Sequence, residues 1–101
     1  MGFTTKEVKG ITKYLVDTGI EPQQLHMHIS EVPPGGRSHP PHEHAGAEAF
    51  YMLEGHATIE VEGEKHSLGP NEVIILDASK PHGLSNAGAT SMRYLVIIAG
   101  H

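Results

Sequence analysis

Turn-forming residues punctuate this sequence at short intervals: Gly19, Pro33-Pro34-Gly35-Gly36, Gly46, Gly55, Glu62-Gly63, Gly69-Pro70-Asn71, Pro81, Gly83 and Asn86-Ala87-Gly88. Between them lie short segments that alternate apolar with polar residues or are rich in branched ones. A long helix has no room between such breaks and a short strand does, so the pattern predicts an all-β sandwich or barrel. The expected strands are 12–16, 25–32, 48–54, 57–62, 65–67, 73–76 and 91–98. Alternation is clearest in Ala57-Thr58-Ile59-Glu60-Val61-Glu62, with Ala57, Ile59 and Val61 on one face and the acids on the other. Glu62-Gly63 reads as a tight hairpin turn before Lys65. Tyr94-Leu95-Val96-Ile97-Ile98 is apolar throughout and suits a strand covered on both faces, by the core and by a second subunit. Residues 4–10 offer one helical turn at most.

Composition narrows the function classes. A chain of 101 residues supports one domain, residues 1–101, around one core. No apolar run approaches the ~20 residues of a membrane-spanning helix. The opening Met1-Gly2-Phe3-Thr4-Thr5-Lys6-Glu7 lacks the apolar core of a secretory signal, so a cytoplasmic location is expected. Cysteine is absent, which removes disulfides and thiolate metal sites. A net charge of −5, with seven Lys plus Arg scattered along the chain, argues against a nucleic-acid partner. Nine histidines are several times the usual share, and imidazole is the commonest metal ligand.

Spacing gives the histidines meaning. His42 and His44 are two apart, so in an extended chain they point the same way. Glu48 shares their parity just past a bend at Gly46. Two neutral nitrogens and one carboxylate from one short segment suit a first-row metal and leave coordination positions open. His82, in Pro81-His82-Gly83-Leu84-Ser85-Asn86, is a fourth candidate from a distant strand.

This arrangement resembles the cupin family. Gly36, five residues, His42-x-His44, three residues, Glu48, six residues and Gly55 match the first cupin motif at every fixed position. His82, four residues before Asn86, matches the end of the second motif. The front of that motif departs: Asn71, Asp77 and Ser79 stand where the family usually has glycine, proline and glycine, so altered loop geometry is expected there. The resemblance covers about residues 25–98. It implies a double-stranded β-helix, a short jelly-roll barrel, often paired as a homodimer. It also implies one divalent transition metal ion per chain, Fe, Mn, Ni, Zn or Cu, held by His42, His44, Glu48 and His82.

Other residues are assigned by parity. Phe50 and Met52 share the parity of Glu48 and should form an apolar wall beside the metal, with Tyr51 and Leu53 facing outward. His39, in a Pro-rich loop, reads as pocket rim or solvent, with a proton-transfer group beside the metal as the alternative. Of Arg93 and Tyr94 one should look inward; an inward Arg93 would suggest an anionic substrate. His26 and His28 share one face of a strand and Leu25, Met27 and Ile29 the other. The aliphatic face is the natural core face, which leaves the two histidines exposed or at an interface; with the parity reversed they line the cavity as general acid or base. His56, His66 and His101 read as solvated.

The function expected is a metal-dependent enzyme acting on a small molecule, with dioxygenase-type oxidation ahead of lyase or isomerase chemistry. The competing reading is a non-catalytic module that binds a sugar or an organic acid. A third is a metal that only staples the barrel; an exchangeable water on the ion would separate that from the other two.

Overall fold

Short alternating segments cannot bury an apolar face alone, so they pair into sheets that close on each other. The computed structural model describes residues 2–21, 24–42 and 44–100, and of residues 38–42 the backbone alone. The described residues form ten strands: β1 Phe3–Val8, β2 Thr12–Asp17, β3 Leu25–Val32, β4 Arg37–His42, β5 Ala47–Glu54, β6 Ala57–Val61, β7 Glu64–Leu68, β8 Val73–Asp77, β9 His82–Asn86 and β10 Met92–Ala99. One antiparallel sheet runs β3-β10-β5-β8 and a second β4-β9-β6-β7, with β1-β2 a separate hairpin. This is the all-β jelly-roll expected from the turn pattern. The core lies between the sheets: Val32 from β3, Phe50 and Met52 from β5, Ile59 from β6, Leu84 from β9, and Met92, Tyr94 and Val96 from β10 are buried.

The seven expected strands form with no end shifted by more than one residue. The other three were hidden for separate reasons. Residues 4–10 are not a helical turn: β1 pairs along its length with β2, Phe3 opposite Asp17 and Val8 opposite Thr12. The adjacent branched residues Thr4 and Thr5 favour this extended state. Strand β4 contains Pro40 and Pro41, which read as a loop, yet it is the edge of its sheet and has register shifts on both sides of His39. An edge tolerates a residue with no N–H to donate. Strand β9, His-Gly-Leu-Ser-Asn, has little β propensity of its own and is held between β4 and β6.

The turns obey local chemistry. Glu62 and Gly63 both have positive φ, 50° and 84°, and join Val61 to its partner Glu64 as a two-residue hairpin. Gly55 has φ 83°, and a Cβ there would lie 2.9 Å from Met92 Cα. Asn71 adopts φ 67°, which asparagine tolerates better than most residues, so at this departure from the family pattern the glycine-like conformation survives. Asp77 closes its own turn by accepting from Ser79 N at 3.0 Å and Ser79 Oγ at 2.6 Å, and these bonds hold its carboxyl below the usual range. Asn86 is buried and clips three segments: Nδ2 donates to Val32 O (2.9 Å) and Thr90 O (2.8 Å), and Oδ1 accepts from Gly88 N (2.9 Å).

Strand β3 reverses the expected parity. Ser30 and Val32 are buried, and His26 and His28 share their inward face. Leu25, Met27 and Ile29 point outward, where the β1-β2 hairpin covers them: Thr12 Oγ1 accepts from Ile29 N at 2.6 Å, and Tyr14, Val16 and Ile20 face Leu25, Met27, Ile29 and Leu95 across an apolar groove. The aliphatic face is thus satisfied by a second layer, not by the core. Part of the outer face of β10 is covered by this same hairpin. Arg93 points outward beside Glu31 at 3.4 Å, and Tyr94, 1% exposed, points inward.

Candidate metal centre

His44 lies in the loop between β4 and β5, and main-chain bonds set its place. Its N–H donates to Ala78 O (2.8 Å), and Ala78 N–H donates to Gly46 O (2.9 Å). This pair fastens the loop to the β8-β9 connection, two residues of chain away from Lys80 and close to His82. Gly46 (φ 101°) is pressed against the end of β10, where a Cβ would come 2.4 Å from Gly100 O. Glu48, next but one, points inward from β5 and is 4% exposed. His82 opens β9, is fully buried, and has its Cα opposite His42 in β4 and Val61 in β6.

Three side chains therefore converge. His44 Nε2 lies 3.0 Å and His82 Nε2 2.7 Å from the same Glu48 Oε1, and one donor atom of each residue falls within 4.8 Å of the others. The opposite ring nitrogens are engaged by carbonyls: His82 Nδ1 donates to Lys80 O (2.8 Å) and His44 Nδ1 to Ala45 O (3.1 Å). A carbonyl can only accept, so each Nδ1 carries a proton, and each Nε2 faces the carboxylate either as an N–H donor in a protonated ring or as a lone pair free for a metal ion. Three lone-pair donors facing one point need a positive charge between them, a proton or a metal ion. This donor set fits a divalent first-row ion, and the Nδ1 bonds are the outer support that orients such ligands.

Of the four residues read as ligands, the structure brings together His44, Glu48 and His82; the side chain of His42, like that of His39, lies outside the described residues. Phe50 packs beside the cluster, its ring centroid 6.5 Å from that of His82, and meets Tyr94 edge to face at 5.8 Å. Met52 is buried deeper along the same strand face. Tyr51 is half-buried on the outer side, and Leu53 is exposed.

The inward face of β3 adds groups that the parity argument had turned outward. His26 Nε2 and His28 Nδ1 lie 2.9 Å apart in a hydrogen bond. Burial, then the nearby Lys9 ammonium and His26, lower the pKa of His28, against a smaller opposing pull from Glu48. Lys9 is the residue that sequence reading missed. It sits in the β1-β2 turn (φ 57°), and its Nζ donates to the buried Ser30 Oγ at 2.8 Å. The available signal was Ser30 in phase with His26 and His28: three polar residues on one side of a strand mark a cavity wall as readily as a solvent face.

A family model of the cupin domain matches residues 28–98. The chain is a cupin. Solved cupin-like structures superpose on most of it. A protein from Thermus thermophilus is 27% identical, with a TM-score of 0.71 over 80% of this chain and 77% of that one. The cupin domain of an XRE-family transcriptional regulator from Enterobacter cloacae is 19% identical, with a TM-score of 0.73 over 100% and 99%. A Thermotoga maritima protein described as a predicted oxalate decarboxylase is 19% identical, with a TM-score of 0.74 over 98% and 94%. The last two establish the shared fold. No curated protein matches this cupin.

Proposed function

We propose that this cupin is an enzyme acting on a small molecule through one divalent transition metal ion, Fe, Mn, Ni, Zn or Cu, held by His42, His44, Glu48 and His82. The observation that carries the reading is the approach of two Nε2 atoms to one buried carboxylate oxygen, with both Nδ1 atoms tied to carbonyls. A bound ion supplies Lewis acidity and, if iron, manganese or copper, a partner for dioxygen. The residues supply the rest. Glu48 offsets part of the ion's charge, the two carbonyl bonds fix the imidazoles, and Phe50, Tyr94 and Met52 keep one side of the centre apolar. His39 is assigned a rim role by its place in the Pro-rich stretch of the sequence. Dioxygenase-type oxidation is the first reaction class; lyase or isomerase chemistry is the alternative. The whole chain, residues 1–101, acts as one domain in the cytoplasm. It pairs as a homodimer through exposed apolar residues on the outer side of β8, Val73 and Ile75.

Elemental analysis of untagged protein, before and after chelator dialysis, tests the centre. About one ion per chain is expected, lost in His44→Ala. Stoichiometric metal in that variant refutes the ligand set. Oxygen uptake then tests the reaction class, and light scattering the dimer. A second reading, a non-catalytic module for a small ligand, is supported by the end-to-end likeness to the cupin domain of a transcriptional regulator. Ligand binding with no turnover by the metal-loaded protein favours it.

A further inference from the structure

The inward face of β3 faces the metal centre across the sheet. His26, Ile98 and Glu48 stand in one cross-strand row, and His28, Val96 and Phe50 in the next. Side chains in a row share a face, so His26 and Glu48 project into the same space two strands apart, about 10 Å at the backbone. Ser30 follows along β3, in the row of Tyr94 and Met52. Strand β3 is the edge of its sheet. The β1-β2 hairpin uses that edge: its turn residue Lys9 reaches to Ser30 Oγ. The wall thus offers, in order, an ammonium, a hydroxyl and a hydrogen-bonded imidazole pair.

We infer that this wall is the substrate-binding side of the barrel, and that it takes the carboxylate of a small organic acid at its Lys9–Ser30 end. The inference rests on the metal reading above. Charge balance supports it. Among the described residues Glu48 is the only buried acid. One carboxylate does not neutralise a divalent ion, and Lys9, itself exposed in the β1-β2 turn, adds a positive charge at the rim of this face. No acid on the inward face of β3 opposes it, because Glu31 points outward to Arg93. An interior with excess positive charge draws anions. The ammonium and hydroxyl supply donors of the kind a carboxylate accepts, and the ammonium makes the bond charge-assisted. The Lys9–Ser30 bond also fixes the ammonium before anything binds. The low pKa of His28, set first by burial and then by the Lys9 ammonium, agrees with this. With both rings neutral, such a pair has two N–H protons in all: one in the His26–His28 bond and one on a single outer nitrogen, the other outer nitrogen being left to accept. The anionic substrate that an inward Arg93 would have suggested is thus proposed through a residue of the N-terminal hairpin instead.

The test is calorimetric titration of full-length protein, with metal content measured on the same sample. Acetate, pyruvate and malonate are compared with acetamide and malonamide, for wild type, Lys9→Met and Lys9→Arg. The acids should bind the wild type more tightly than the amides. Lys9→Met should weaken the acids by about tenfold or more and leave the amides unchanged, and Lys9→Arg should restore most of the loss. All three proteins should hold the same metal, because Lys9 is not a ligand. Acids bound equally by wild type and Lys9→Met, with metal present, overturn the inference and leave the metal centre standing; they would then be binding the ion alone. Absence of metal overturns the proposed function instead. The same acid-against-amide comparison on the metal-free protein then decides the wall by itself: a preference that Lys9→Met abolishes supports it, and no preference sinks it.

Discussion

Asn86→Asp changes one amide group to a carboxyl of the same shape, so its effect isolates hydrogen bonding. In the native protein Nδ2 donates to Val32 O and Thr90 O, and Oδ1 accepts from Gly88 N. The aspartate keeps the acceptor and loses both donors. Two hydrogen bonds at about 1 kcal/mol each are removed, and a buried carbonyl left against a carboxylate oxygen adds about 1 kcal/mol or more. The sum is about 3 kcal/mol, which for a domain of this size lowers Tm by about 12–24 °C. The assay is thermal unfolding followed by circular dichroism, with wild type and variant both stripped of metal, since bound metal raises Tm by mass action. A variant within about 1 kcal/mol of wild type would refute the view that Asn86 holds the β3-β4, β9 and β9-β10 segments together.

Three further outcomes are expected. Gly46→Ala puts a Cβ 2.4 Å from Gly100 O at φ 101°, so it should cost about 1–3 kcal/mol and loosen the loop that carries His44; denaturant unfolding and metal affinity measure the two effects. Glu62→Asn places a residue suited to left-handed backbone at φ 50° and should gain a few tenths of a kcal/mol by the same unfolding assay, because the exposed Lys80–Glu62 pair at 3.8 Å contributes little to lose. His28 has a folded pKa below its unfolded value of 6.5, so its contribution to stability is full above that pH and is lost as pH falls through the folded value. Lys9→Met removes one of the causes, and NMR titration should show the His28 pKa rising; an unchanged value counts against the placement of Lys9.

What the sequence reveals and what it hides divide along a physical line. Strands 25–32, 57–62 and 91–98 carry their own signal in alternation or branched residues, and their ends hold to within a residue. Glu48 is found because β5 is straight enough for parity to work, whereas His44, in the loop, and His82, opening β9, are found through their fixed places in the cupin motifs. Strands β4 and β9 are silent: Pro40, Pro41 and Gly83 are poor strand formers, and it is sheet neighbours that extend them. The face of β3 is misjudged because parity alone cannot tell a core from a second covering layer. Met27 and Ile29 are half-buried, and Leu25 is flanked, by a hairpin whose own strand, β1, went unrecognised. The error at residues 4–10 thus produced the error at His26 and His28, and with it the omission of Lys9.

The reciprocal bonds between His44, Ala78 and Gly46 have a consequence for how such a centre changes over generations. The spacing of its two imidazoles is set largely by peptide groups, which every residue except proline supplies alike. Side chains around the donors are therefore free to drift. Exchanging Phe50, or the residues of β3, reshapes what can enter without disturbing how the donors meet. A barrel built this way keeps its chemistry portable while its choice of substrate remains open to revision.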